Sequence, residues 1–444
     1  MHLRLPPLAV SPGVVAACAL AAACASHSGE PDEGALVDSG GTLAVAGCDY
    51  SVTTPLGAEP PRAQAAVLGA DPSVRLVHLG LIGDPRSSIV VQWRTADETT
   101  RASTIRFAQG AGLPASALTE RRDGLEFRYH NGSSVYRMHQ AHLCGLTPGT
   151  AYSYQVGAIV GGVEHLSPVY SFRTAPDVSA TPDAEVAIAF VGDSRGGYDV
   201  WGQLVGQIRQ RTPDLVLFSG DAVTIGITQL EWEDFLGRAE PLFATVPVIA
   251  ANGNHENNAV NFYAQFAMPG DQQNFGIDYG HAHITVGNDT PEDPSTLATA
   301  VRAALAADFE KSKAARWRML MHHQPMFSAS TRHGPSETLQ QAWLSLIDQY
   351  HLDLVLNGHD HDYEITYPLI AGAKSTAPEA TVFVIAGGAG AEPYPSGKAT
   401  WTAYSETSYS AAMLHVSRPT LRVTPFHQDG SPLTDPAASF TKAK

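Results

Sequence analysis

Hydrophobic and polar positions change rhythm twice along this 444-residue chain. Between Val74 and Pro176 they alternate in short runs. Ser88-Ile89-Val90-Val91-Gln92-Trp93-Arg94 and Thr150-Ala151-Tyr152-Ser153-Tyr154-Gln155-Val156 have the period of half-buried strands. Asn131-Gly132 and Thr147-Pro148-Gly149 between them are turn signals. An all-β sandwich over residues 74–176 is predicted. After a Pro/Ala/Ser stretch the apolar runs become continuous, as in strands buried on both faces. Val200, Leu204, Val205 and Ile208 recur at helical spacing, and an amphipathic helix is predicted around Leu339 to Ile347. This alternation of buried strand and helix predicts an α/β body over residues 183–430. Residues 25–73 are rich in Ala, Gly, Ser, Pro and acids, which predicts a flexible linker.

The α/β part places its chemistry in one kind of position. Ala187-Ile188-Ala189-Phe190-Val191 runs into Gly192-Asp193, and Leu215-Val216-Leu217-Phe218 into Gly220-Asp221. Val246-Pro247-Val248-Ile249-Ala250 runs into Gly253-Asn254-His255-Glu256, and Arg318-Met319-Leu320-Met321 into His322-His323. Leu352-Asp353-Leu354-Val355-Leu356 then runs into Gly358-His359-Asp360-His361. Metal-capable residues thus follow a buried strand five times, at the end where an α/β sheet holds its ligands. Asp, Asn and His form an oxygen–nitrogen donor set for hard or borderline divalent cations.

Composition narrows the partners. With 28 Lys+Arg against 44 Asp+Glu the chain carries a formal charge of −16, which removes the electrostatic footprint of a non-specific nucleic-acid binder. No nucleic-acid partner is expected, and membrane contact only through an N-terminal lipid anchor. Arg4 and the apolar run Leu8 to Ala23 read as a signal peptide over residues 1–24. Val15-Ala16-Ala17-Cys18 and Ala21-Ala22-Ala23-Cys24 both resemble lipoprotein cleavage sites, although Pro6, Pro7 and Pro12 suit an ordinary secretory peptide as well. Export from a bacterial cytoplasm is expected, as a periplasmic protein, an outer-membrane lipoprotein or a secreted one. Cys48 and Cys144 then remain for the mature chain. An oxidising compartment favours one disulfide between them, and two buried thiols stay open.

The order Gly-Asp, Gly-Asp, Gly-Asn-His-Glu, His, Gly-His-x-His resembles the calcineurin-like metallophosphoesterases. The sandwich in front narrows the resemblance to the purple acid phosphatases. Tyr279-Gly280, Phe266-Ala267-Met268-Pro269, His323-Gln324-Pro325-Met326-Phe327-Ser328, His333-Gly334-Pro335 and Ala386-Gly387-Gly388-Ala389-Gly390 extend it. Leu146-Thr147-Pro148-Gly149-Thr150-Ala151-Tyr152 looks like the tyrosine corner of a fibronectin type III sandwich, with Trp93 as a core aromatic. The resemblance implies two mixed β-sheets flanked by helices, behind a fibronectin III-like domain. It implies hydrolysis of phosphate monoesters by hydroxide activated on two divalent ions, Zn, Mn or Fe. Asp193 would bind the first metal, Asp221 would bridge, Asn254, His323 and His359 would hold the second, and His361 the first. His322 is the alternative to His323. His255 and His333 would face the phosphate, with His255 able to protonate the leaving oxygen.

Two positions depart from that pattern. Arg195 stands where relatives carry Gly or a His ligand, and Arg has no lone pair for a metal. Its fork suits a phosphate instead. Thr224 replaces the family's Tyr ligand, so the purple colour is expected to be absent; Tyr198 is a substitute ligand to consider. A small-molecule phosphodiesterase on the same fold and a non-catalytic surface lipoprotein are the alternatives.

Overall fold

The strand Ser88–Thr95 is buried along its whole length in the computed structural model, which describes residues 34–444. It lies inside a five-stranded sheet, in the order Arg62–Ala63, Leu125–Asn131, Ser134–Cys144, Ser88–Thr95, Val74–Gly80. The facing sheet is built on Ala151–Val160 and Thr104–Gln109. Trp93, Ile105, Phe107, Tyr154 and Val156 pack between them. The Tyr152 hydroxyl accepts the Thr147 N–H at 2.9 Å, which pins the corner expected there.

The polar positions of Ser88–Thr95 do not face water. Gln92 Nε2 donates to the Ala264 carbonyl at 3.1 Å, and Arg94 pairs with Glu233, both in the α/β part. Alternation in this strand therefore separates the sandwich core from a polar seam against its neighbour.

Residues 36–73 correct the expectation of a flexible linker. Gly41–Ala44 and Ser51–Thr54 pair as a hairpin, and Arg62–Ala63 joins the first sheet. Cys48 and Cys144 form a disulfide with a Cα–Cα distance of 5.4 Å. Tyr50 adds a hydrogen bond from its hydroxyl to His142 Nδ1 at 3.0 Å. A composition argument counts only what a segment buries against itself; this one is ordered by a neighbouring sheet edge and a covalent link. The leader-like segment with Cys18 and Cys24 lies outside the described residues.

The α/β part contains two mixed sheets. Val248–Ala250, Leu215–Phe218 and Val186–Val191 run parallel, and Ser410–Val416, Thr420–His427 and Phe440–Ala443 complete six strands antiparallel. The sheet thus extends past the boundary expected at 430. Seven strands form the second sheet, with Ala282–Val286, Trp317–Met321, Leu354–Asn357 and Val382–Ala386 parallel at its centre. Side chains alternate between two cores. Met319, Met321, Leu354, Leu356, Val382 and Val384 pack toward the first sheet with Ile188, Phe190 and Leu217. Leu320, Val355 and Phe383 instead meet the helical layer of Leu305, Phe309, Trp343 and Ile347. The period of two in a strand makes this two-sided burial possible. Among the described residues no helix is long and apolar enough to cross a membrane.

Candidate metal centre

The parallel strands of both sheets end at one place, and the turns that follow them are tight. Asp193, Asp221 and His359 take left-handed backbone angles, with φ of 66°, 57° and 70°. Such conformations in non-glycine residues cost energy and cluster at functional sites. Glycines let the turns close: a Cβ on Gly253 would lie 2.3 Å from Asp221 Oδ1, and one on Gly358 2.3 Å from Asp193 Oδ2.

Asp193, Asp221 and His323 are buried and bring their ligand atoms within 4.8 Å of one another. Asn254 Oδ1 lies 3.1 Å from His323 Nε2 and 3.0 Å from His359 Nδ1. Hydrogen-bond accounting shows what this cluster is short of. His323 Nδ1 is 2.8 Å from the Ser219 carbonyl, which only accepts, so the ring proton sits there. The lone pair on Nε2 then points at Asn254 Oδ1 and, at 3.3 Å, at Asp221 Oδ1, two further acceptors. Lone pairs converging in this way need a positive charge between them, as a proton or a cation. The donor set of carboxylates, amide oxygen and imidazoles fits a divalent ion. Burial and the neighbouring Asp221 charge push Asp193 well above the usual carboxylate range. Burial also works against charge on Asp221, but His323 and His255 outweigh it and hold Asp221 well below that range.

The remaining candidates lie around this cluster. His255 Nδ1 donates to the Thr224 carbonyl at 2.7 Å, leaving Nε2 toward Asp221 Oδ2 at 3.9 Å. The His333 ring is centred 4.4 Å from that of His359 and 5.4 Å from that of Tyr394. His361 Nε2 lies 3.3 Å from Arg195 Nη2 and 3.7 Å from Asp193 Oδ1. Burial, with the Arg195 charge adding to it, holds His361 down at about 3. Arg195 Nε donates to Asp221 Oδ2 at 3.3 Å, so the guanidinium is in the site rather than on the surface. His322 faces the opposite way, with Nδ1 3.0 Å from Asp289 and its ring edge on Trp343. Adjacent strand-end residues point to opposite faces, which separates it from His323. The Tyr198 hydroxyl is bonded to the Ala222 carbonyl and Glu231, outside the donor cluster.

Two residues matter here that the motifs alone did not single out. Buried Glu256 accepts N–H groups from Asp221 (2.7 Å), Gly253 (2.8 Å), Ala222 (2.7 Å) and Val223 (3.3 Å). It ties the turn carrying Asp221 to the turn carrying Asn254. Its place two after Asn254 was the available signal. Tyr394 stacks on His361 with ring centroids 3.9 Å apart and accepts from Arg195 Nη2 at 3.3 Å. No short-range pattern announces it.

Both parts of the chain match known families. Residues 186–363 match the calcineurin-like phosphoesterase family, and residues 74–174 match the purple acid phosphatase N-terminal domain. Acid phosphatase type 7 of Homo sapiens is 28% identical over 385 residues, covering 77% of this chain and 84% of its own length. Purple acid phosphatase 21 of Arabidopsis thaliana is 26% identical over 312 residues, covering 66% of each chain. Among solved structures, the yellow lupin purple acid phosphatase PPD1 superposes with a TM-score of 0.70 at 16% identity, covering 84% of this chain and 74% of that one. The chain joins a calcineurin-like phosphoesterase domain to a purple acid phosphatase N-terminal domain, and its homologues are purple acid phosphatases.

Proposed function

We infer that the protein is a metal-dependent hydrolase of phosphate esters that acts on small monoesters. The observation that carries this is the convergence of ligand atoms of Asp221, Asn254, His323 and His359 beside Asp193, at the ends of parallel strands. These five residues would hold the divalent metal. When bound, such an ion supplies Lewis acidity toward a phosphoryl oxygen and lowers the pKa of water.

The other side chains act on the substrate. Because the Thr224 carbonyl accepts a hydrogen bond from His255 Nδ1, the ring is fixed with Nε2 toward the centre, from which it can give a proton to the departing alkoxide. His333 approaches the phosphate from the His359 side. Arg195 offers fixed N–H donors to negative oxygens as charge builds on them. The Cys48–Cys144 disulfide and the leader-like first residues support an exported protein.

The test compares metal-depleted and metal-reconstituted protein on p-nitrophenyl phosphate and bis(p-nitrophenyl) phosphate. The expected result is hydrolysis restored by Mn²⁺ or Zn²⁺, faster on the monoester. Absence of metal-dependent hydrolysis of either ester would refute the assignment, and faster diester cleavage would refute the monoester preference.

A further inference from the structure

We propose that the centre holds a single divalent ion and that the Arg195 guanidinium takes the place of the other. The proposal deepens the hydrolase reading and rests on it. The two halves of the site differ in how their lone pairs are used.

On the His323 side the ligand atoms converge on one another. His323 Nε2 meets Asn254 Oδ1 at 3.1 Å, Asp221 Oδ1 at 3.3 Å and His359 Nδ1 at 3.3 Å. A cation belongs there. On the His361 side, beside Asp193, the lone pairs of His361 Nε2 and Asp221 Oδ2 already have a partner. His361 Nδ1 lies 2.7 Å from the Glu392 carbonyl, so its proton is on Nδ1 and its lone pair on Nε2. Arginine can only donate, and its Nη2 meets that lone pair at 3.3 Å. Arg195 Nε meets Asp221 Oδ2 at 3.3 Å. The guanidinium therefore spans the carboxylate and the imidazole that a second ion would need.

An ion bonded to both Asp221 Oδ2 and His361 Nε2 at about 2.1 Å would have to displace the guanidinium, whose N–H groups aim at the same atoms. The surroundings hold it in place. Tyr394 OH accepts from Nη2 at 3.3 Å while its ring lies against His361 at 3.9 Å. The Arg195 backbone N–H donates to the Asp221 carbonyl at 3.1 Å, which fixes the start of the side chain. Asp221 Oδ2 thus accepts from the guanidinium, and Oδ1 would remain for an ion. Phosphate entering the site meets one mobile charge and one covalently fixed charge. The fixed one brings planar, directional donors in place of open coordination positions.

The test counts ions. Full-length wild type, Arg195→Ala, Arg195→Gln, His361→Ala and the Arg195→Ala/His361→Ala double variant are equilibrated with Mn²⁺ by dialysis. Bound metal per chain is read by mass spectrometry, and thermal melting confirms that each variant is folded. The expected counts are one ion for wild type, two for either Arg195 variant, one for His361→Ala and one for the double variant. Arg195→Gln keeps the size of the stem, so a folding defect in Arg195→Ala does not end the test. Two ions of similar affinity in wild type, loss of the ion in His361→Ala, or one ion in both Arg195 variants would each overturn the proposal and leave the hydrolase reading standing. No ion bound to wild type would remove the hydrolase reading itself.

Discussion

Replacing Glu256 by Gln tests whether the geometry of the centre is set from behind. Each Glu256 oxygen accepts two N–H groups: Oε2 those of Asp221 and Gly253, Oε1 those of Ala222 and Val223. An amide has one oxygen, so either orientation leaves two of these donors facing an NH₂ group. Hydrogen bonds to a charged acceptor are worth about 1.5–3 kcal/mol each, so losing two costs about 3–6 kcal/mol. Against that, burial and the Asp221 charge push Glu256 up to about 7. Removing the charge returns roughly 3 kcal/mol of that penalty at neutral pH. The net cost is about 0–3 kcal/mol, concentrated in the turns that place Asp221 and Asn254. Metal affinity should fall by about tenfold to a hundredfold, the usual cost of losing a group that orients a ligand. Calorimetric titration with Mn²⁺ reads the affinity, and urea unfolding reads the stability. An affinity within about twofold of wild type, with an unchanged unfolding midpoint, would show that the strand-end turns hold their shape without Glu256.

Four other substitutions probe separate parts of the molecule. Asp221→Ala should lose bound metal together with turnover, whereas His255→Ala should keep the metal and lose about 10²–10⁴ in rate; metal analysis beside monoester kinetics separates the two. Burial works against the charged form of His283, but Asp278 at 2.7 Å and Asp308 at 2.9 Å outweigh it and push its pKa up to about 9. The stabilisation is therefore complete below the unfolded value near 6.5 and is lost as pH rises through about 9. Because Asp278 is 81% exposed, screening reduces the effect to about 2 kcal/mol, seen as a drop in unfolding free energy between pH 6 and pH 9.5 that His283→Gln removes. Cys48→Ser opens a loop of 96 residues and should cost at most about 4–5 kcal/mol of stability, measured by denaturant unfolding.

Much of the site was legible because its information is local. A buried run followed by Gly-Asp or Gly-His predicts a strand, its end and a polar residue just past it. Five such endings predict a shared ligand edge. That His322 and His323 point apart could also be read from the chain, since neighbours at a strand end face opposite ways; the preference for His323 rests on the resemblance, through its place two before Pro325. Their different surroundings, Asn254 against Asp289, follow from that alternation. Arg195 and Thr224 were visible as departures, though not what Arg195 does with its charge.

The tertiary structure decided what depends on partners far away along the chain. Arg195 and His361 are 166 positions apart, and their contact exists only because strands from two different sheets end side by side. The burial of Gln92 and Arg94 depends on a second domain covering the strand, and the order in residues 36–73 depends on a sheet edge and Cys144. Periodicity and turn chemistry act over a few residues, so sequence alone specifies which segments become strands and which residues stand at their ends. Whether a lone pair there is shared with a guanidinium or left for a cation is settled by which ends meet, through contacts that no local pattern contains.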